Sequence, residues 1–292
     1  MNWDNARYFL AVARIGSLRS AAASLGVDQA TVGRRIAAFE AELGATLFRR
    51  TPQGYELTSA AETVLNDAEA MEAAASAIGR KAAGVDAALT GPIRIATTDT
   101  LADGFVLPAL KHLRDRHPQI EIVLSTSVQI TDLARGEADL AIRGSKPTSG
   151  DLIIRKLTTV EMGLYASVRY VAARGLPVVG SAFAGHDLVM FSRASIPRHW
   201  QDLCGEPIIH GRVAVEVTSQ LLLLSAIEKG FGIGILSSFI ADARTSLVRV
   251  LPERRDPVDI WLAVHPDVYG AARIRAAIQA ITDQFAGKAV AA

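Results

Sequence analysis

Residues 17 to 58 constrain the fold more than any other segment. An alanine-rich run, Ser17-Leu18-Arg19-Ser20-Ala21-Ala22-Ala23-Ser24, stops at Leu25-Gly26, and Asp28-Gln29-Ala30-Thr31-Val32-Gly33-Arg34-Arg35-Ile36 begins a second run. A glycine after an apolar residue supplies the left-handed backbone that ends one helix and admits another at a steep angle. Asp28 is suited to cap the second helix, and Ala22, Leu25, Val32, Ile36 and Phe39 are spaced to bury one face of the pair. Gln29, Ala30, Thr31 and Arg34 then face outward. These types match the base edges of a major groove: Gln pairs with adenine, Arg with guanine, and the Ala or Thr methyl meets thymine. Arg35, Arg49 and Arg50 suit phosphates, with Gly54 turning a short hairpin before Tyr55, and Ser17 and Gln53 join that backbone-contacting set. The spacing alone fits a small helical domain with solvated arginines equally well, because helix, glycine and helix recur widely.

The next stretch, Ser59 to Leu89, contains no proline and repeats small or apolar residues at alternating spacings of three and four: Ala61, Val64, Ala68, Met71, Ala75, Ile78, Ala82, Val85 and Leu89. Such a stripe is the seam of a coiled coil, and its alanines let two helices approach closely. Glu62, Asp67, Glu69, Glu72, Arg80 and Lys81 solvate the opposite side. A dimerising linker helix over 59 to 89 is expected, capped by Thr58 and ended by Gly91-Pro92; the alternative is that the stripe packs on its own domain.

From Ile93 onward short apolar strands alternate with amphipathic helices, the pattern of an α/β domain. Strands are expected at 93–96, 121–126, 138–142, 163–166, 188–191, 214–217, 232–236 and 260–264. Helices are expected at 105–116, 130–135, 168–174, 219–229 and 272–286. A chain of 292 residues exceeds one ordinary core, and 50% hydrophobic residues support a sizeable interior. A net charge of +1 excludes a protein that coats nucleic acid along its whole surface, so its basic residues act by placement. The single cysteine, Cys204, excludes an internal disulfide framework and reads as a buried or loop thiol in a reducing compartment. The first residues do not resemble a signal peptide and no apolar run is long enough to span a bilayer, so a soluble cytoplasmic chain is expected.

Motifs of catalysis are not supported. Gly230-Phe231-Gly232-Ile233-Gly234 imitates a dinucleotide fingerprint, but it follows a helix and enters a strand, the reverse of what a phosphate needs. It reads as a helix terminator and close-packing turn. The six histidines show no ligand spacing to one another or to Cys204, and neither a Gly-x-Ser-x-Gly elbow nor a phosphate-binding lysine loop is present. No catalytic residue, metal or cofactor is assigned.

The chain resembles the LysR-type transcriptional regulators in Tyr8-Phe9-Leu10-Ala11-Val12-Ala13, Gly16-Ser17-Leu18, Ala21-Ala22-Ala23-Ser24-Leu25, Glu42-Leu43-Gly44 and Leu47-Phe48-Arg49-Arg50, and the likeness continues along nearly its whole length. It departs from the usual pattern with Asp28 in place of a serine, and with Ala30 and Gly33 where proline and serine are common. The resemblance implies an α/β chain overall: a winged helix-turn-helix over 1–58, a linker helix over 59–90, and a periplasmic-binding-protein-like effector domain over 91–292. Two subdomains are implied, about 92–162 plus 266–292 and about 163–265, with crossing strands near Glu161 to Gly163 and Val264 to Pro266. It also implies promoter DNA, a small-molecule effector, a second copy of the chain, a homotetramer and RNA polymerase as partners, and no membrane.

Ligands of open α/β sheets sit at the carboxyl ends of strands against helix starts. By that rule the loops Thr97-Thr98-Asp99-Thr100, Ser127-Val128-Gln129, Arg143-Gly144-Ser145 and Thr218-Ser219-Gln220 line the cleft. Thr98, Asp99, Thr100, Gln129, Arg143, Thr218 and Ser219 are the effector-binding candidates, with Thr100 and Thr218 close to positions that touch effector in the resembling family. Helix capping is the alternative role for each. Asp99 facing the cleft repels an anion or favours an amine, whereas Arg143 argues the other way. A solute-binding protein that lacks an export signal, or an α/β enzyme with a helical N-terminal extension, leaves the arginines of the first sixty residues unexplained.

Overall fold

The computed structural model describes residues 2–52, 54–84, 88–126, 133, 137–147, 152–192 and 202–289. Gln53, Ser127 to Gln129, Val85 and, apart from Leu133, the expected helix at 130–135 lie outside the described residues. The chain divides into two compact units, Met1–Arg80 and Lys81–Ala292.

The first unit runs α1 (Trp3–Ile15), α2 (Leu18–Leu25), α3 (Gln29–Leu43), β1 (Phe48–Thr51), β2 (Gly54–Leu57) and α4 (Ser59–Gly84). Asn2, Ser17 and Asp28 cap the first three helices, accepting from the N–H groups of Asp4, Ser20 and Thr31, and Gly16, Gly26 and Gly44 end them in the left-handed region. Ala22, Val32, Ile36 and Phe39 are buried in one core, with Leu25 packed against it. Phe9 lies at its centre, 5.7 Å from the Phe39 ring and 5.5 Å from Phe48. The β1–β2 hairpin pairs Arg49 with Glu56, Arg50 with Tyr55 and Thr51 with Gly54. Gly54 is required there: its φ is +136°, and a Cβ would lie 2.4 Å from the Gly16 carbonyl oxygen. The Tyr55 N–H donates to that same oxygen at 2.8 Å, which fastens the hairpin to the α1–α2 turn.

The linker helix differs from expectation at the start of its stripe. Ala61 and Ala68 are buried in the core of their own unit with Val64 packed against them, so this part follows the alternative reading. Arg14 of α1 also reaches α4, pairing with Glu72 at 2.6 Å and Glu69 at 3.5 Å. Ile78, further along, is 73% exposed. Thr58 does cap the helix, through its Oγ1 and the Ala61 N–H at 3.2 Å. Gly91-Pro92 does not end it; the described part of α4 runs to Gly84, residues 88–90 are not helical, and Gly91 opens a strand.

The second unit begins with β3 (Gly91–Thr97), a three-residue α5 (Asp99–Leu101), a π-helical turn (Ala102–Val106), α6 (Leu107–Arg116), β4 (Ile120–Thr126), β5 (Leu140–Arg143) and β6 (Ile153–Ser167). It continues with α7 (Val168–Arg174), β7 (Asp187–Phe191), β8 (Asp202–Leu203), β9 (Glu206–Pro207), β10 (Arg212–Val217) and α8 (Gln220–Glu228). Then come β11 (Gly234–Ser237), α9 (Ser238–Ala241), β12 (Leu247–Val264), α10 (Pro266–Tyr269) and α11 (Ala272–Ala289). One six-stranded sheet has the order β11-β6-β12-β5-β3-β4, and β7 and β10 form a separate parallel pair.

Two lobes share that sheet. One core gathers Ile93, Ile95, Leu110, Leu140, Ile142, Ile260, Leu262, Val264, Ile281 and Phe285. The other lobe is built on Leu164, Ala166, Phe183, Leu188, Ile233 and Val250, with Tyr165, Val189, Leu223, Ile227 and Leu236 on its second side. Because Ile260, Leu262 and Val264 belong to the first core, the chain has already returned before Val264. The second crossing is therefore not at Val264 to Pro266. It lies near Val250 to Pro257, where β12 pairs with Leu164, Gly163, Met162 and Glu161 of β6. Residues 251–254 interrupt that register, and Leu251 has a φ of +46°.

Gly230 to Gly234 is the packing turn expected from sequence. A Cβ on Gly232 would lie 2.3 Å from the Asp187 carbonyl oxygen, which accepts from the Ile233 N–H at 2.9 Å. Cys204 is buried, and burial pushes its thiol up to about 12.

Candidate nucleic-acid interface and effector cleft

The outward face of α3 is organised by its own cap. Asp28 accepts from the Thr31 N–H at 2.8 Å and from the Thr31 hydroxyl at 2.7 Å, and Arg34 Nη2 donates to that hydroxyl at 3.0 Å. The Thr31 hydroxyl is the main cause that holds the Asp28 carboxyl below its usual range, with the Thr31 N–H next. Gln29, Ala30 and Arg34 are exposed, and Thr31 is half-buried. The arrangement presents a neutral amide, two methyl groups and a guanidinium on the first turns of one helix.

The cationic candidates divide. Arg50 is exposed, and Arg49 is exposed but paired with Glu56 across the hairpin at 2.9 Å. Arg35 turns instead to α1: it approaches Asp4 at 3.4 Å, donates to Asn5 Oδ1 at 3.3 Å and lies over the Tyr8 ring at 5.8 Å. Ser17 uses its hydroxyl oxygen to cap α2. Gly54 shapes the hairpin through its backbone.

In the second unit β3 and β5 are parallel, with Ile95 opposite Leu140 and Ala96 opposite Ala141, so Thr97 and Arg143 finish at the same end of the sheet. Arg143 is buried, and burial lowers its pKa. Thr97 is fully buried, and its Oγ1 has no hydrogen-bond partner among the described residues. Across from this end stands the start of α8, capped by Ser219, whose Oγ accepts from the Leu222 N–H at 3.4 Å.

The two lobes meet at Asp99 and Thr100. Asp99 Oδ2 accepts from the Ser219 hydroxyl at 2.5 Å and from the Leu221 N–H at 3.2 Å, while Asp99 Oδ1 accepts from the Thr100 N–H at 2.8 Å. The buried Thr100 hydroxyl donates to Gln220 Oε1. A second contact is apolar: the Phe105 ring sits 4.8 Å from Phe239 of α9 and stacks 4.2 Å from Phe285. Asp99, Thr100 and Ser219 are thus brought together as the sequence suggests, and Thr98 precedes them without a side-chain cap bond. Thr218 is exposed and makes no described hydrogen bond to the group. Gln129 lies outside the described residues. Gln220 was named in the loop Thr218-Ser219-Gln220 but not among the effector-binding candidates, and nothing local marks Phe239.

Residues 3–62 match the description "Bacterial regulatory helix-turn-helix protein, lysR family", and residues 86–286 match "LysR substrate binding domain". The chain belongs to the LysR family. As a LysR-type protein it is a DNA-binding transcriptional regulator with an effector-binding domain, and its relatives are regulators, not enzymes. It is 30% identical over 276 residues to the Mau operon transcriptional activator of Paracoccus denitrificans, covering 91% of this chain and 90% of that one. In fold it is similar to the full-length Vibrio cholerae virulence activator AphB, with a TM-score of 0.63 at 22% identity over 97% of this chain and 99% of that chain. It is also similar to full-length CbnR in complex with its target DNA, with a TM-score of 0.56 at 22% identity over 97% and 100% of the two chains. Among the described residues of this LysR-type chain, no helix is long and apolar enough to cross a membrane, and no group of three His, Cys, Asp or Glu is arranged to hold a metal ion.

Proposed function

We propose that this regulator reads promoter DNA with the first turns of α3, using Gln29, Ala30, Thr31 and Arg34 on base edges, while Arg49, Arg50, Ser17, Gln53 and Gly54 follow the phosphate backbone. The observation that carries this reading is the exposed Gln29-Ala30-Arg34 face on a helix whose other side is locked into the core by Val32, Ile36 and Phe39. Arg35, tied to Asp4 and Asn5, acts at most as a phosphate contact that must first leave α1.

Two copies pair through the far half of α4, where exposed Ile78 continues the small-residue stripe beyond the part buried at home. Dimers assemble into a cytoplasmic homotetramer. A small molecule held between the lobes by the loops at Thr98 to Thr100, Gln129, Arg143 and Thr218 to Ser219 shifts the geometry of the assembly, the bend of the promoter and the recruitment of RNA polymerase.

Arg34→Ala tests the reading helix. Footprinting upstream of the chain's own gene should lose protection, with binding weakened by about 1–3 kcal/mol per half-site as expected for one bidentate base contact. Unchanged circular dichroism and oligomeric state would assign the loss to DNA. Protection equal to the parent would refute the placement of α3.

A further inference from the structure

We infer that Asp99 is a tethered anion that fills the anion seat at the start of α8, latches the two lobes, and bars a carboxylate-bearing effector from that seat. The inference rests on the reading that the effector enters this cleft, and it assigns the residue that sets effector class there.

A helix start with unpaired N–H groups attracts negative charge, and a hydroxyl at its cap adds a further donor. At the start of α8 both kinds of donor are already taken. The Ser219 hydroxyl and the Leu221 N–H converge on one oxygen of Asp99, a residue 120 and 122 positions distant from them and belonging to the opposite lobe. The other Asp99 oxygen is held by the Thr100 N–H, which fixes the carboxylate in its orientation. The adjacent Thr100–Gln220 bond and the Phe105–Phe239 ring contact join the same two lobes. Asp99 therefore satisfies a helix that is not its own.

Such a group competes with any free carboxylate on unequal terms. It is attached to the protein, so its effective concentration at the seat exceeds what a dissolved metabolite reaches. It also repels a second anion at short range, in a cleft where its described partners are neutral donors. Molecules that present no carboxylate to α8 meet no such competition.

Removal of the tether creates a vacancy that a free anion of the same chemistry fills. The test is thermal denaturation of the full-length protein in acetate and in chloride at matched ionic strength. The parent should melt at the same temperature in both salts. Asp99→Ala should melt several degrees lower in chloride and recover in acetate along a saturable curve. Failure of Asp99→Ala to respond to acetate beyond chloride, or an equal response from the parent, would overturn the inference. Should Asp99→Ala not fold, Asp99→Asn, Ser219→Ala and the double variant form a cycle in urea: non-additive midpoints support the latch, and additive ones refute it. These readouts involve no DNA. A failed acetate response removes the tethered anion and leaves the regulatory reading to the Arg34→Ala footprint, and an unchanged footprint does the converse.

Discussion

Asp28 and Asp99 each rest a carboxylate on a helix start, and they differ in reach. Asp28 caps the helix that follows it, three residues from Thr31, on an open surface. Asp99 caps a helix in the opposite lobe. The first stabilises a local turn and holds a reading face in shape. The second ties two lobes together beside the Thr100–Gln220 bond and the Phe105–Phe239 ring contact, so its loss should be felt in how they associate.

The comparison meets its hardest test at the apolar half of the lobe contact. Phe105 is stacked on Phe285 and meets Phe239 edge-on, so Phe105→Ala should cost the second unit about 3–5 kcal/mol, measured from urea midpoints of the full chain. A loss below about 1 kcal/mol would show that distant contacts do not govern this unit.

In the first unit the largest local effect should come from Gly54→Val, whose side chain would collide with the Gly16 carbonyl. The expected cost is about 1–3 kcal/mol, seen as faster hydrogen exchange at the Tyr55 amide while the lobes keep their protection. Exchange that rises equally in both units would break the division into local and distant contacts.

The smallest effect concerns Asp28 itself. Its folded-state carboxyl is held below the ordinary value of 3.8, so its contribution is present above that value and is lost as pH falls through the lower, folded one. Protection of the Thr31 amide in the parent should therefore decline in acid, and Asp28→Asn should lack that particular decline. An identical pH profile in the two proteins would remove Asp28 from the account of the cap.

Much of the first unit was legible because its contacts are near in sequence. Gly26 marks a helix end, Asp28 marks a start, and the apolar spacing from Ala22 to Phe39 gives the buried face, whereas the end roles of Gly16 and Gly44 and the cap role of Ser17 emerged from the structure. The second unit was read in pieces. Only 163–166 of β6 and 260–264 of β12 stood out, since Lys156, Thr158, Thr159 and Glu161 break the apolar pattern and Pro252 to Pro257 reads as a charged loop. These strands find each other across the chain, and that pairing leaves no local mark. The same limit hid the destination of Asp99. Its residue type and position were visible, but the donor it serves lies in another lobe.

The continuous pairing of β6 with β12 has a mechanical consequence. One strand, Ile153–Ser167, passes from one lobe to the other, and its pairing with β12 shifts register at residues 251–254, near the crossing, and again between Ile260 and Trp261, within the first lobe. Opening the cleft must therefore twist a hydrogen-bonded ribbon, with strain that rises as the lobes separate. The joint behaves as a torsion spring with a rest position, and any ligand that opens it does elastic work on the backbone at that spot.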